Sequence, residues 1–117
     1  MKKVFILFIT ITFTLLLLCC CTKKVLYEAG KYEGVGQGHH GPIRVVVTTD
    51  EYCIVDIKII EEYEMPELAK IVYEKIPKKV IKSNSPDVDV VAGASYTSRG
   101  LIEAIKDGLK KACKAVS

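Results

Sequence analysis

Residues 43–60 read IRVVVTTDEYCIVDIKII, and this stretch decides the fold. Ile43–Thr49 is dense in β-branched residues, which suit a pleated, half-buried strand. Asp50-Glu51 is a turn signal. Tyr52–Ile60 is apolar again, with Ile54 and Ile57 set around Asp56 and Lys58. Two such runs joined by a short polar turn predict an antiparallel hairpin.

Working outward, Lys31–Gly38 carries Tyr32 and Val35, with glycine at every second position from Gly34 to Gly38. Period two predicts a further strand. Glycine along one face of a strand means that another backbone, or a ligand, comes close. His39-His40-Gly41-Pro42 is a turn, and Glu61–Pro66 is an acidic connection. In Glu67–Ile76, Leu68, Ile71, Val72 and Ile76 recur at helical spacing and make one apolar face. Pro77 ends this helix or opens a short second one over Lys78–Lys82. Ser83–Pro86 reads as a loop, Asp87–Val91 as a short extended run and Gly93–Ser98 as a tight loop of small residues. Ser98–Ala115 predicts the last helix, with Leu101, Ile102, Ile105, Leu109, Ala112 and Cys113 on one side. The class is α+β: a small antiparallel sheet or hairpin packed with two to three helices.

The N-terminus differs in kind. MKKVFILFITITFTLLLLCCC places Lys2 and Lys3 before an uncharged run from Val4 to Leu18, then three cysteines. That is the layout of a secretory signal, and the run also approaches the length of a membrane span. Leu18-Cys19-Cys20-Cys21 approximates the lipobox of a bacterial lipoprotein, with Cys21 or Cys20 as the lipidated residue. Residues 1–20 are therefore expected to be a lipoprotein-type signal peptide or a membrane anchor, residues 21–30 a linker and residues 31–117 the folded domain. The positive n-region stays inside, so the domain is expected on the extracytoplasmic face of the cell membrane.

Of 17 Lys+Arg, Lys2 and Lys3 fall in the leader, leaving 15 against 14 Asp+Glu, a net charge near +1. This balance gives no support to nucleic-acid binding. Cys53 and Cys113 form either a disulfide, in an oxidising compartment, or two separate buried thiols. The adjacent His39 and His40 cannot both face one ligand, and no CxxC follows the leader, so no metal site is expected. The glycine-rich Gly34–Gly41 lacks the Lys-Ser/Thr ending of a phosphate-gripping loop. Two histidines in one turn support no Ser-His-acid set, and no catalytic residue is assigned.

The chemistry points to Asp89–Ser98, DVVAGASYTS. An apolar run leads into Gly93-Ala94-Ser95, which has almost no side-chain bulk. Hydroxyls follow at Ser95, Thr97 and Ser98, and a helix begins directly after. Amides at a helix start favour anions, and small residues let a ligand approach the backbone. A phosphate fits on these grounds; so does a plain N-cap from Thr97 or Ser98.

The pieces GKYEGVGQGHHGPIRVVV, IVDIKII, Glu64-Met65-Pro66 and KKVIKSNSPDVDVVAGASYTSRGLIEAI follow in this order between Gly30 and Ala112. Together they resemble the FMN-binding domain of flavin subunits in the sodium-pumping NADH:quinone oxidoreductase and the Rnf complex. The short exported versions are more similar still. In that family FMN is joined by a phosphoester to Thr, or less often Ser, in a motif like D-x-x-S/T-G-A-T/S. Asp89, Gly93 and Ala94 match, Ser95 stands at the acceptor position, and Ala92 departs from the usual Ser or Thr. The resemblance implies FMN as cofactor, held by Ser95, Gly93, Ala94, Thr97, Ser98 and Asp89. It implies a flavin transferase that uses FAD and Mg²⁺ and releases AMP. Further partners are membrane lipid and a membrane redox donor and acceptor. An electron carrier or accessory domain is expected rather than a stand-alone enzyme. Two other readings stay open: a flavin-binding lipoprotein with noncovalent FMN, and a structural lipoprotein on a degenerate copy of the fold.

Overall fold

The computed structural model describes residues 25–116. The expected signal or anchor, with Cys20 and Cys21, lies outside them. The order is β1 (Gly30–Gln37), β2 (Pro42–Thr49), β3 (Ile54–Glu61), α1 (Pro66–Ser83) and α2 (Ser95–Val116). Among the described residues no helix is long and apolar enough to cross a membrane.

The strands form one antiparallel sheet in the order β1-β2-β3. The hairpin expected over residues 43–60 is present, and Val47 faces Ile57 across it. Tyr52 and Cys53 belong to its turn, where both amides donate to the Asp50 carboxylate. The chain before β1 is tied down. Leu26 and Tyr27 donate to the Glu51 carbonyl and Glu28 to the Ala112 carbonyl, while the Tyr27 ring is buried. Cys53 and Cys113 are neither bridged nor buried, contrary to both expectations: both are free, exposed thiols.

Both helices cover one face of the sheet. Ile43, Val45 and Val47 point into that layer from β2, with Ile54 and Ile57 from β3. They meet Val72, Ile76 and Val80 of α1, and Leu101, Ala104, Ile105, Leu109 and Ala112 of α2. On the opposite face Arg44 pairs with Glu33 of β1 at 3.2 Å and Glu61 of β3 at 2.7 Å, spanning all three strands.

The alternating glycines of β1 serve this packing. A Cβ at Gly34 would lie 1.9 Å from the Ala104 carbonyl oxygen, and one at Gly36 would lie 2.0 Å from that of Gly100. The strand thus rests directly on the backbone of α2, and it is the helix, not a ligand, that approaches Gly34 and Gly36.

Three local expectations are corrected. Pro77 neither ends nor restarts a helix: α1 runs through it, and the buried Pro77 sits between Ile76 and Val80 in the core. One missing amide is tolerated because the flanking turns are held by burial rather than by local propensity. Leu68 and Ile71, expected on the apolar face of α1, are exposed, and Ala69 is buried instead. Helix α2 starts at Ser95, three residues before its expected start, so Thr97 and Ser98 lie inside its first turn and do not cap it. At the far end of α1, Asn84 adopts the left-handed conformation with φ of 53°. Its side chain accepts from the Ile54 amide at 2.8 Å and donates to the Tyr52 carbonyl at 2.9 Å.

Candidate flavin site

At the other end of the sheet, the β1–β2 turn faces the start of both helices. Gly38 donates to the Gly41 carbonyl and closes the turn that carries His39 and His40. Opposite stand Met65 and Leu68 from the entry to α1. Gly93–Thr97 supplies the third wall. These residues enclose a cavity of about 310 Å³, at the lower end of the range usual for small-molecule sites.

The third wall is built by backbone geometry. Val91 accepts from the Ala94 amide, and Gly93 takes a φ of +83° in between. That positive φ favours glycine. The first bond of α2 runs from the Ser98 amide to the Ala94 carbonyl. The amides of Ser95, Tyr96 and Thr97 precede it and belong to the helix end whose N–H groups have no intrahelical partner. Ser95 is half-buried at this point. Free amides, small residues and a hydroxyl on one cavity wall make a setting in which a phosphate fits.

The residues singled out from the sequence separate into three groups. Gly93, Ala94, Ser95 and Thr97 line the cavity. Ser98 is fully buried beneath it, donating to the Ala94 carbonyl at 2.7 Å and accepting from the Val91 amide at 3.0 Å. It holds the loop in shape. Asp89 is exposed in a separate open groove beside Lys79 and Lys82, away from the other five.

Sequence reasoning undervalued Glu64, which reads as part of a solvated acidic turn. Its side chain is buried, 5% exposed. One carboxylate oxygen accepts from the His39 amide at 2.5 Å and the Thr97 hydroxyl at 3.1 Å; the other accepts from the His40 amide at 2.7 Å. Burial alone would raise the Glu64 carboxyl, but the two amides, the Thr97 hydroxyl and the His40 imidazole hold it below its ordinary value. Successive amides around one carboxylate form an anion nest. The usable sequence signal is Gly38: a Cβ there would lie within 3.0 Å of this carboxylate, so only glycine admits it. The other missed residues are Met65, Leu68 and Tyr96. Tyr96 is strongly exposed beside Ser95, and its ring lies 5.2 Å from that of His39 at a 31° tilt. Flat aromatic and apolar walls around a small-residue phosphate seat suit a planar ring system carrying a phosphate tail.

Comparison with known proteins agrees with this geometry. A family model described as "FMN-binding domain" matches residues 38–110. The chain is 27% identical over 85 residues to the NADH:acrylate oxidoreductase of Vibrio harveyi, covering 73% of this chain and 8% of that protein. It is 29% identical over 82 residues to an uncharacterized protein of Treponema pallidum (strain Nichols), covering 70% of this chain and 23% of that one. The chain therefore spans less than a quarter of either relative.

Proposed function

We propose, from the premise that this chain belongs to the FMN-binding domain family and binds FMN, that it is a membrane-anchored, extracytoplasmic electron carrier with FMN esterified to Ser95. The observation that carries this reading is the placement of Ser95. Ser95 lines the cavity, at the first residue of a helix whose leading amides favour an anion. A phosphoester at Ser95 Oγ forms as the anhydride of FAD breaks, AMP departs and the hydroxyl proton is lost. A flavin transferase and Mg²⁺ supply that reaction.

The bound flavin supplies one- and two-electron chemistry. The protein's part is placement. The amides of Ser95–Thr97 neutralise phosphate charge, Gly93 and Ala94 keep the approach clear, and His39, Tyr96, Met65 and Leu68 shield ring faces from water. A redox relative, the NADH:acrylate oxidoreductase, supports an electron-transfer role. The leader, residues 1–20, supports export, and Cys21 or Cys20 supports attachment, with membrane lipid and a membrane redox donor and acceptor as partners. Asp89 belongs to the motif that the transferase reads, which agrees with its exposure.

The test is in-gel flavin fluorescence after denaturation, with the full chain coexpressed with a flavin transferase. A fluorescent band that Ser95→Ala abolishes supports the ester. A folded wild type without a band refutes it. Flavin that stays with the native protein but leaves on denaturation selects the noncovalent reading, to which Ala92 in the attachment motif lends weight. Loss of membrane association in Cys20→Ala/Cys21→Ala supports lipidation, and retention argues for an uncleaved anchor.

A further inference from the structure

We infer that Glu64 is a positioning residue of the flavin site: its buried carboxylate clamps two of the three cavity walls to each other. The clamp joins segments far apart in the chain. Glu64 lies 25 and 24 residues from His39 and His40, and 33 from Thr97. One wall is the Gly38–Gly41 turn, and the other is the first turn of α2, two residues beyond Ser95.

The arrangement costs more than packing requires. A carboxylate removed from water is unfavourable unless its lone pairs are met. Three donors meet them here. Thr97 has two faces: its hydroxyl is spent on Glu64 while the residue itself lines the cavity. Met65, next in sequence to Glu64, forms the opposing wall and precedes the first residue of α1. Glu64 is thus placed to set the width of the cavity and the direction of the Ser95–Thr97 amides. Gly38 completes the device by leaving room for the carboxylate. The inference rests on the FMN reading, and its test separates the two.

The experiment titrates the full chain, made without flavin transferase, with FMN, following flavin fluorescence and visible circular dichroism. Glu64→Gln presents one amide group where two oxygens accepted, so at least one donor loses its partner. FMN affinity is expected to fall about tenfold, the equivalent of one charge-assisted hydrogen bond, and the flavin dichroism to change shape. Gly38→Ala pushes the carboxylate aside without altering it and is expected to do the same. Asn84→Ala is the control: it breaks the equivalent side-chain tie at the opposite end of the domain. It lowers thermal stability and leaves FMN affinity and dichroism unchanged. If Glu64→Gln and Gly38→Ala alter stability only, as Asn84→Ala does, the positioning role is refuted. If Glu64→Gln does not fold, Gly38→Ala alone decides the matter by the same readouts. Wild type that fails to bind FMN overturns both the FMN reading and this one, whereas wild-type binding unaffected by either variant overturns this one alone.

Discussion

Replacing Gly36 with alanine tests whether β1 and α2 truly meet backbone to backbone. The new Cβ would stand 2.0 Å from the Gly100 carbonyl oxygen and 2.6 Å from the Ala104 amide nitrogen. Real Cβ atoms essentially never come within 3.0 Å of such neighbours, so strand and helix must separate by about 1 Å. The obstacle is main chain, so no rotamer change relieves it. A gap of that size forfeits roughly a quarter to a half of each dispersion contact it opens. The contacts at stake belong to Val45, Val47, Leu101 and Ile105, all fully buried. Overpacking costs about 1–3 kcal/mol where side chains can adjust, and with none to adjust we expect about 3–4 kcal/mol. Against a total of roughly 5–10 kcal/mol for a domain of this size, that is a large fraction. It corresponds to a fall in Tm of roughly 12–32 °C. Urea unfolding followed by far-ultraviolet circular dichroism measures it, with the m-value confirming an unchanged transition. Gly93→Ala is the companion: its Cβ meets nothing within 4 Å, and only the φ of +83° opposes it, at about 1–2 kcal/mol. A Gly36→Ala variant no less stable than Gly93→Ala would refute the close approach.

Three further outcomes follow from the hydrogen bonds. Ser98→Ala leaves the Val91 amide without its acceptor and is expected to cost about 1–3 kcal/mol in urea unfolding, while Ser98→Thr retains the hydroxyl. The Glu64 carboxyl is held below its ordinary value of 4.5, so the stability it contributes is fully present above that pH and is lost as pH falls through the lower folded value. Unfolding midpoints measured from neutral pH into acid should therefore fall more steeply in wild type than in Glu64→Gln. Burial, then the charge and hydrogen bond of Glu62, push the Tyr73 phenol far above its ordinary value. An alkaline absorbance titration should leave one tyrosine un-ionised after the others, and Glu62→Gln should bring it down.

The hairpin and α2 were legible because their signals are local. Ile43–Thr49 carries its β-branched side chains in sequence, and Leu101, Ile105, Leu109 and Ala112 repeat at helical spacing. The alternating glycines announced a close approach, but what approaches is a helix some 65 residues downstream, which a strand's own pattern cannot specify. Pro77 read as a break because local rules count its missing amide and not the burial of Val72, Ile76 and Val80 around it. At the site, Gly93–Thr97 could be read as a phosphate seat from small residues and hydroxyls. For Glu64 the resemblance offered a feature near the flavin and the residues themselves a solvated turn; its burial could not be read, because its donors lie on two other segments. Leu68 looked like core because helical spacing gives a stripe, not its width; it lies at the stripe's edge and became a cavity wall.

The direction in which the elements run has a consequence for approach. β1 begins at Gly30, where the strap Leu26–Glu28 is bonded to Glu51 and Ala112, and it ends beside the His39-His40 turn. Eight residues of strand cover roughly 25 Å. The chain therefore enters at one pole of the domain and the cavity opens at the other, with the sheet as a rigid spacer between them. A partner that comes to the cavity wall of Tyr96 and Met65 therefore approaches from the pole opposite that entry.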